Sequence, residues 1–137
     1  LLGLPSAWRE RAAFRQCAEA LIERFGMTHF ASARADSLSY GHQRRVEMMR
    51  AVASQPDFLL LDEPVAGMND VEASEIGAIL RTLVADGIGI LLIEHNVGFV
   101  MELCSTVYVM NTGRLIAQGS AVEVSRDPAV IEAYLGG

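Results

Sequence analysis

Two adjacent carboxylates, Asp62 and Glu63, stand at the end of the apolar run 58–61 and are followed by Pro64. Large apolar residues without polar alternation are typical of a strand buried on both faces of a parallel sheet, and proline cannot continue the ladder of such a strand. We therefore expect both acids at the carboxyl end of a strand, where open α/β sheets bind ligands. Asp62 is a candidate partner for Mg²⁺, and Glu63, on the other side of the strand, could orient or deprotonate a water. The alternative is that the two acids cap the next helix or face solvent.

A histidine follows the next apolar run. Residues 88–93 form a second predicted strand, and Glu94, His95 and Asn96 come directly after it. An amphipathic helix, capped by Asn69 or Asp70, is predicted between the two strands, so they should form a parallel crossover with their ends at the same sheet edge. There, a neutral imidazole could donate to a phosphate oxygen or orient an attacking water, although histidines at strand ends also have purely structural roles.

A third candidate is the loop Leu38–Gly41, which leads into a predicted helix with an apolar stripe at Val46, Met49 and Val52. Serine at position 39 is a good N-cap, and Gly41 lets the backbone come close to a ligand. Free N–H groups and the helix dipole make such a helix start suitable for a phosphate. The alternative is an ordinary capped helix that packs on the core.

The remaining elements would position these residues. We predict a long amphipathic helix that ends near Gly26, a short helix at about 96–103, and a strand at 106–110. A turn at 111–113 should lead into a second antiparallel strand, followed by two short helices capped by Ser120 and Asp127.

Composition restricts the classes of function. The chain has 137 residues, of which 51% are hydrophobic and 20% charged, so it can form a core of its own. A net charge of −6, with no basic cluster beyond Arg44 and Arg45, argues against nucleic acid as the main partner. Without an apolar stretch of membrane-spanning length or a signal-peptide pattern, we expect the cytoplasmic side of the membrane. Cys17 and Cys104 lie far apart and are interpreted as reduced thiols.

Three segments together resemble the second half of an ABC-transporter ATPase. LSYGHQRRVEMMRAV resembles the signature loop and helix, FLLLDEPVAGMND the Walker B strand with its D-loop, and LLIEHN the switch-histidine loop. The segment 127–136 resembles the tail of subunits that energise branched-chain amino acid uptake, and urea-importer ATPases have a similar tail. The resemblance implies an α/β fold, namely a fragment of a P-loop NTPase with a mainly parallel sheet flanked by helices and a C-terminal hairpin. Residues 1–56 would be part of the helical signature subdomain, and residues 57–137 the C-terminal part of the ATPase core.

The resemblance also implies roles for the candidate residues. Asp62 would hold Mg²⁺ through water, Glu63 would be the catalytic base, and His95 would contact the γ-phosphate of ATP. Ser39 and Gly41 would reach ATP bound to a second ATPase subunit, and both subunits would work with transmembrane permease subunits at the cytoplasmic face of the membrane. Three positions depart from the commonest family pattern: Tyr40 stands in place of a glycine, His42 in place of a glutamine and Asn69 in place of an aspartate. The candidate nucleotide-binding residues are Ser39, Tyr40, Gly41, His42 and Asn69.

No P-loop of the pattern GxxxxGKS or GxxxxGKT occurs in the sequence, which begins with Leu1 rather than Met. We therefore expect the chain to be the C-terminal part of the ATPase subunit of an importer for branched-chain amino acids. By itself the chain should not hydrolyse ATP, because it has no P-loop. A subunit of a urea or other ABC transporter and a non-enzymatic regulatory or dimerisation module are the alternatives. In the family that the chain resembles, the P-loop strand lies between the strands at 88–93 and 106–110. Without it, we expect these two strands to close on each other or, with less strain, to pair with a second copy of the chain.

Overall fold

The computed structural model describes residues 5–135, and the chain divides into two units, Leu1–Ile93 and Glu94–Gly137. The first unit contains helices α1 (Pro5–Arg24), α2 (Tyr40–Ala53) and α3 (Asp70–Ala85) and strands β1 (Phe58–Asp62) and β2 (Gly89–Ile93). Two short 3₁₀ turns, Thr28–Phe30 and Ala35–Ser37, connect α1 to α2. The predicted helix–strand–helix–strand order of this region is confirmed. The subdomain boundary expected after residue 56 stays a prediction.

Helix α1 ends where its glycine predicts. Gly26 has a φ of +67°, the left-handed conformation in which glycine commonly follows a helix. The amide of Met27 donates to the carbonyl of Ile22 at 2.8 Å, and Phe25 and Met27 are buried beyond the helix end.

Strands β1 and β2 are parallel, with register from Phe58↔Gly89 to Asp62↔Ile93. Leu59 and Leu61 are buried, but Phe58 and Leu60 are 60% and 73% exposed, so the prediction that β1 is buried on both faces is wrong for this chain. Strand alternation sends these side chains to opposite faces of the sheet, and only one face is covered within the residues that the structure describes. Paired residues share a face, which gives an exposed apolar sheet face formed by Phe58, Leu60, Leu91 and Ile93.

A buried arginine joins the three helices of the first unit. The side chain of Arg45, on α2, is 8% exposed; it donates to the carbonyl of Phe25 at 3.1 Å and to a carboxylate oxygen of Glu75, on α3, at 2.5 Å. At the far end of α3, Arg24 donates to the hydroxyl of Thr82 at 2.8 Å. These contacts fix α2, and thereby the loop that precedes it, relative to α3.

The second unit contains α4 (Val97–Leu103), β3 (Val107–Asn111), β4 (Arg114–Gly119), α5 (Ala121–Ser125) and α6 (Pro128–Val130), followed by a π-helical turn (Ile131–Leu135). Strands β3 and β4 form the predicted antiparallel hairpin. Val107, Val124 and Val130 form its buried cluster, and the hydroxyl of Tyr134 donates to the carbonyl of Met110. Ser120 and Asp127 cap the short helices as predicted. Within residues 5–135, no helix is long and apolar enough to cross a membrane.

Candidate functional site

The two adjacent carboxylates lie where the sequence predicts, at the carboxyl end of a parallel strand. Asp62 is the last residue of β1, and the amide of Glu63 continues the pairing by donating to the carbonyl of Ile93 at 2.8 Å. The chain then turns: the amide of Ala66 donates to the carbonyl of Glu63 at 3.2 Å, and Gly67 has a φ of +72°. Both acidic residues are exposed. This turn can present two carboxylates to a ligand at the sheet edge.

Glu63 itself has a strained backbone. Its φ is +46°, in the left-handed region that residues with a Cβ rarely adopt. Gln55 and Thr112 also have positive φ, at 53° and 46°, but they lie at the end of α2 and in the β3–β4 turn, where such geometry is common. Strain of this kind is often concentrated at functional sites. At Glu63 the positive φ falls on a candidate catalytic residue, directly after the last residue of β1.

Asn69, rather than Asp70, caps α3. Its side-chain oxygen accepts from the amides of Val71 and Glu72, both at 3.0 Å. In return, the carboxylate of Glu72 accepts from the Asn69 amide at 3.0 Å, which completes a capping box. Asn69 therefore stabilises the start of α3. Its role in nucleotide binding stays a prediction.

Ser39 is the N-cap of α2, as predicted. It is extended, with φ −60° and ψ 159°, and its hydroxyl oxygen accepts from the amide of His42 at 3.3 Å. The same oxygen lies 3.0 Å from Nδ1 of the His42 ring. The carbonyl of Ser39 accepts from the Gln43 amide at 2.9 Å, and Gly41 follows in the first turn of the helix. The loop thus has the local geometry of an anion-binding helix start.

The first turn of α2 lies against the turn after the carboxylates. A Cβ placed on Gly67 would lie 3.8 Å from Cδ1 of Tyr40, and one on Gly41 would lie 3.8 Å from Cγ of Met68. Tyr40 is held in turn by Arg44, which donates to its hydroxyl at 3.0 Å. Sequence patterns did not indicate this contact, because it joins segments more than twenty residues apart that share no periodicity.

Arg44 is itself held in place. It lies over the Tyr40 ring, 5.2 Å from the centroid, and forms an ion pair with Glu47 at 2.7 Å. The hydrogen bonds that Arg44 donates, first to Glu47 and then to Tyr40, raise the pKa of Arg44 above its ordinary value. A guanidinium paired with a carboxylate therefore stands beside the first turn of α2.

His95 is the second residue of the second unit and the second residue after β2. Its side chain is 71% exposed, whereas that of Glu94 is 1% exposed. The Glu94 carboxylate accepts from the amides of His95 and Asn96 at 3.1 and 3.3 Å, and Asn96 caps α4 by accepting from the Phe99 amide at 3.1 Å. Because His95 belongs to one unit and the two acids to the other, their predicted convergence stays a prediction.

A magnesium site at Asp62 would be incomplete without ATP. Within the part of the chain that the structure describes, no three His, Cys, Asp or Glu side chains cluster in a metal-binding arrangement. Mg²⁺ in nucleotide sites keeps several waters and is bound by one or two carboxylates together with phosphate oxygens. An exposed carboxylate at a strand end fits that kind of binding.

Comparison with protein families gives two matches along the chain. The family described as "ABC transporter" matches residues 5–66, which include the loop before α2 and the two carboxylates. The family described as "Branched-chain amino acid ATP-binding cassette transporter" matches residues 114–137.

Curated relatives include a lipopolysaccharide export protein and a branched-chain amino acid transport protein. The chain is 39% identical over 122 residues to the lipopolysaccharide export system ATP-binding protein LptB of Haemophilus influenzae, covering 89% of the chain and 51% of the relative. It is also 39% identical over 137 residues to the high-affinity branched-chain amino acid transport ATP-binding protein LivG of Escherichia coli, covering 99% of the chain and 54% of the relative. The chain thus spans about half the length of the curated relatives it matches.

Solved structures show the same fold. An ATP-binding cassette of an ABC transporter, in its ADP conformation, matches with a TM-score of 0.81 and 32% identity, over 91% of this chain and 51% of that one. The cbiO1 protein of Clostridium perfringens, part of an ABC transporter complex, matches with a TM-score of 0.77 and 31% identity, over 96% of this chain and 51% of that one. The predicted α/β fold of a P-loop NTPase fragment is confirmed.

Proposed function

We propose that the chain, which is similar to ATP-binding proteins of ABC transporters, belongs to that family and is part of a subunit that hydrolyses ATP to drive transport. The observation that carries this proposal is the turn after β1. There, two carboxylates follow a parallel strand, one of them on a residue with a strained backbone, and the first turn of α2 packs against the same turn. Two carboxylates at the edge of a parallel sheet and an anion-binding helix start, each acting at its own nucleotide, suit phosphoryl transfer, in which positioning and electrostatics supply most of the catalysis.

Each residue has a proposed role. Asp62 orients the water shell of Mg²⁺, which neutralises charge on the phosphates when it is bound. Glu63, which is exposed after the end of β1, accepts a proton from the attacking water. His95, exposed after β2, donates to the γ-phosphate.

The loop before α2 acts on a second nucleotide, held by the other subunit of a dimer. Ser39 donates its hydroxyl, and the start of α2 offers N–H groups around Gly41. Tyr40, His42 and Asn69 complete the proposed contact surface. The full subunit is peripheral to the cytoplasmic face of the membrane and pairs with transmembrane permease subunits. Nucleic acid is not a proposed partner, since the chain has a net charge of −6.

We assign import of branched-chain amino acids to the transporter. The match over residues 114–137 and the likeness to LivG over 99% of the chain support it. Lipopolysaccharide export is the second candidate, because LptB is equally identical over 122 residues. Membrane vesicles that carry the full subunit with its permease distinguish them: ATP-driven uptake of leucine supports import, and uptake that does not depend on ATP excludes it.

A substitution at Glu63 tests the hydrolytic role. In the full-length subunit, Glu63→Gln should abolish ATP turnover but preserve ATP binding, because it removes the base and leaves Asp62 in place. Glu10→Gln, at an exposed position on α1, is the matched control and should leave turnover unchanged. Parental turnover in Glu63→Gln would refute the base assignment. If the unsubstituted full-length subunit binds but never hydrolyses ATP, the alternative of a non-enzymatic regulatory module is correct.

The 137-residue chain alone should hydrolyse ATP no faster than background, because it has no P-loop to hold the phosphates on which these residues act. Steady turnover that is lost in Glu63→Gln would contradict this expectation.

A further inference from the structure

His42 stands where the commonest signature loop has glutamine, and the structure gives it three contacts. Its Nδ1 lies 3.0 Å from the hydroxyl oxygen of Ser39, and its amide donates to the same oxygen at 3.3 Å. Its ring lies against that of Phe30, with centroids 4.2 Å apart and planes tilted by 42°. The imidazole is thereby held on the side of the serine hydroxyl.

The Nδ1 contact decides where the Ser39 hydroxyl hydrogen points. If Nδ1 carries no proton, it accepts that hydrogen, and the hydroxyl cannot donate to a ligand. If Nδ1 carries the proton, it donates to the oxygen, which then accepts from both the ring and the His42 amide. The serine hydrogen is then directed to another acceptor.

Resting on the function proposed above, we propose that His42 is a positioning residue that turns the Ser39 hydroxyl toward a phosphate oxygen of ATP. An approaching phosphate needs a donor, so its binding favours the form of His42 in which Nδ1 is protonated. A stiff ring packed on Phe30 loses little conformational entropy in this task compared with a flexible glutamine side chain.

The first test uses the 137-residue chain and no nucleotide. Its three histidines give few signals in long-range proton–nitrogen NMR spectra, and His29 and His95 serve as internal references. Ser39→Ala should shift the Nδ1 resonance and the tautomer ratio of His42 while the two references stay unchanged. An unchanged His42 signal, in a variant whose circular dichroism shows intact helices, would overturn the proposal.

The second test is a double-mutant cycle on kcat/KM for ATP in the full-length subunit. His42→Phe keeps the aromatic contact with Phe30 but removes Nδ1, which makes it the matched variant. Ser39→Ala and His42→Phe should each lower kcat/KM about fivefold, the effect of one hydrogen bond of ordinary strength. The double variant should be no slower than the slower single variant, because both changes remove the same interaction.

The outcomes separate the two ideas. Independent, multiplying losses in the double variant would mean that His42 has only a structural role, and would overturn the positioning proposal. Parental kcat/KM in His42→Phe would overturn it as well. Absence of turnover in the unsubstituted subunit would instead refute the proposed function, while the NMR test of the Ser39–His42 contact would still decide the geometry.

Discussion

The strained backbone at Glu63 can be separated experimentally from its carboxylate. Glu63→Gln keeps the side-chain shape and the strain, Glu63→Ala removes the carboxylate but keeps Cβ, and Glu63→Gly removes both. At φ +46°, a Cβ crowds the following carbonyl oxygen, which costs about 1–2 kcal/mol. Glycine avoids that cost but loses about 0.4–1 kcal/mol through the greater freedom of its unfolded chain. The hydrogen bond that the backbone amide of residue 63 donates to the carbonyl of Ile93, at 2.8 Å, is available in all three variants.

We therefore expect Glu63→Gly to be more stable than Glu63→Ala by about 1 kcal/mol, the reverse of their order at an ordinary position. Gln55, with a φ of 53° outside the candidate site, is the matched control, and glycine should exceed alanine there by a similar amount. Urea unfolding of the 137-residue chain, followed by circular dichroism, measures both differences in the free energy of unfolding. If alanine equals or exceeds glycine at position 63 but not at 55, the strain argument for Glu63 is wrong.

The same variants connect strain with activity. In the full-length subunit, every Glu63 variant should lose turnover, including the stabilised glycine variant, whereas Gln55→Gly should keep it. Stability gained at the cost of turnover would explain why a non-glycine residue stands at this turn.

Three further perturbations test packing, thiol reactivity and association. Arg45→Met should lower the free energy of unfolding by about 2 kcal/mol, because it removes buried charged hydrogen bonds. Arg44→Met, which removes a partly exposed ion pair, is the control and should lower it by about 0.5 kcal/mol. Urea titrations measure both losses, and equal losses would contradict the prediction. Burial raises the pKa of the half-buried Cys104, so iodoacetamide should alkylate the exposed Cys17 first. Mass spectrometry that finds Cys104 alkylated before Cys17 would refute this prediction. The chain should self-associate through its strand edges and its exposed apolar sheet face. Light scattering across a dilution series measures the mass in solution, and a monomer at all concentrations would exclude self-association.

Local features of the fold could be predicted from sequence because local chemistry determines them. Ser39 and Asn69 begin helices since their side chains accept from amides two or three residues ahead, and Gly26 ends one since it tolerates a positive φ. Arg45 could not be predicted in the same way. It belongs to a basic pair that is typical of a solvated surface, yet it is buried because a carbonyl 20 residues before it and a carboxylate 30 residues after it meet in space.

The candidate site shows the same division between local and long-range determinants. In the sequence, the segment that begins α2 and the turn after β1 are separate motifs, and each is predicted to contact nucleotide on its own. In the structure, the ring of Tyr40 lies next to Gly67, whose φ of +72° favours glycine at this position. From Gly67 the chain runs back to Glu63, which is hydrogen-bonded to β2, and forward to Asn69, which caps α3. The hydroxyl proposed to reach one ATP and the carboxylate proposed to activate water at another are therefore positioned by one packed contact within a single chain.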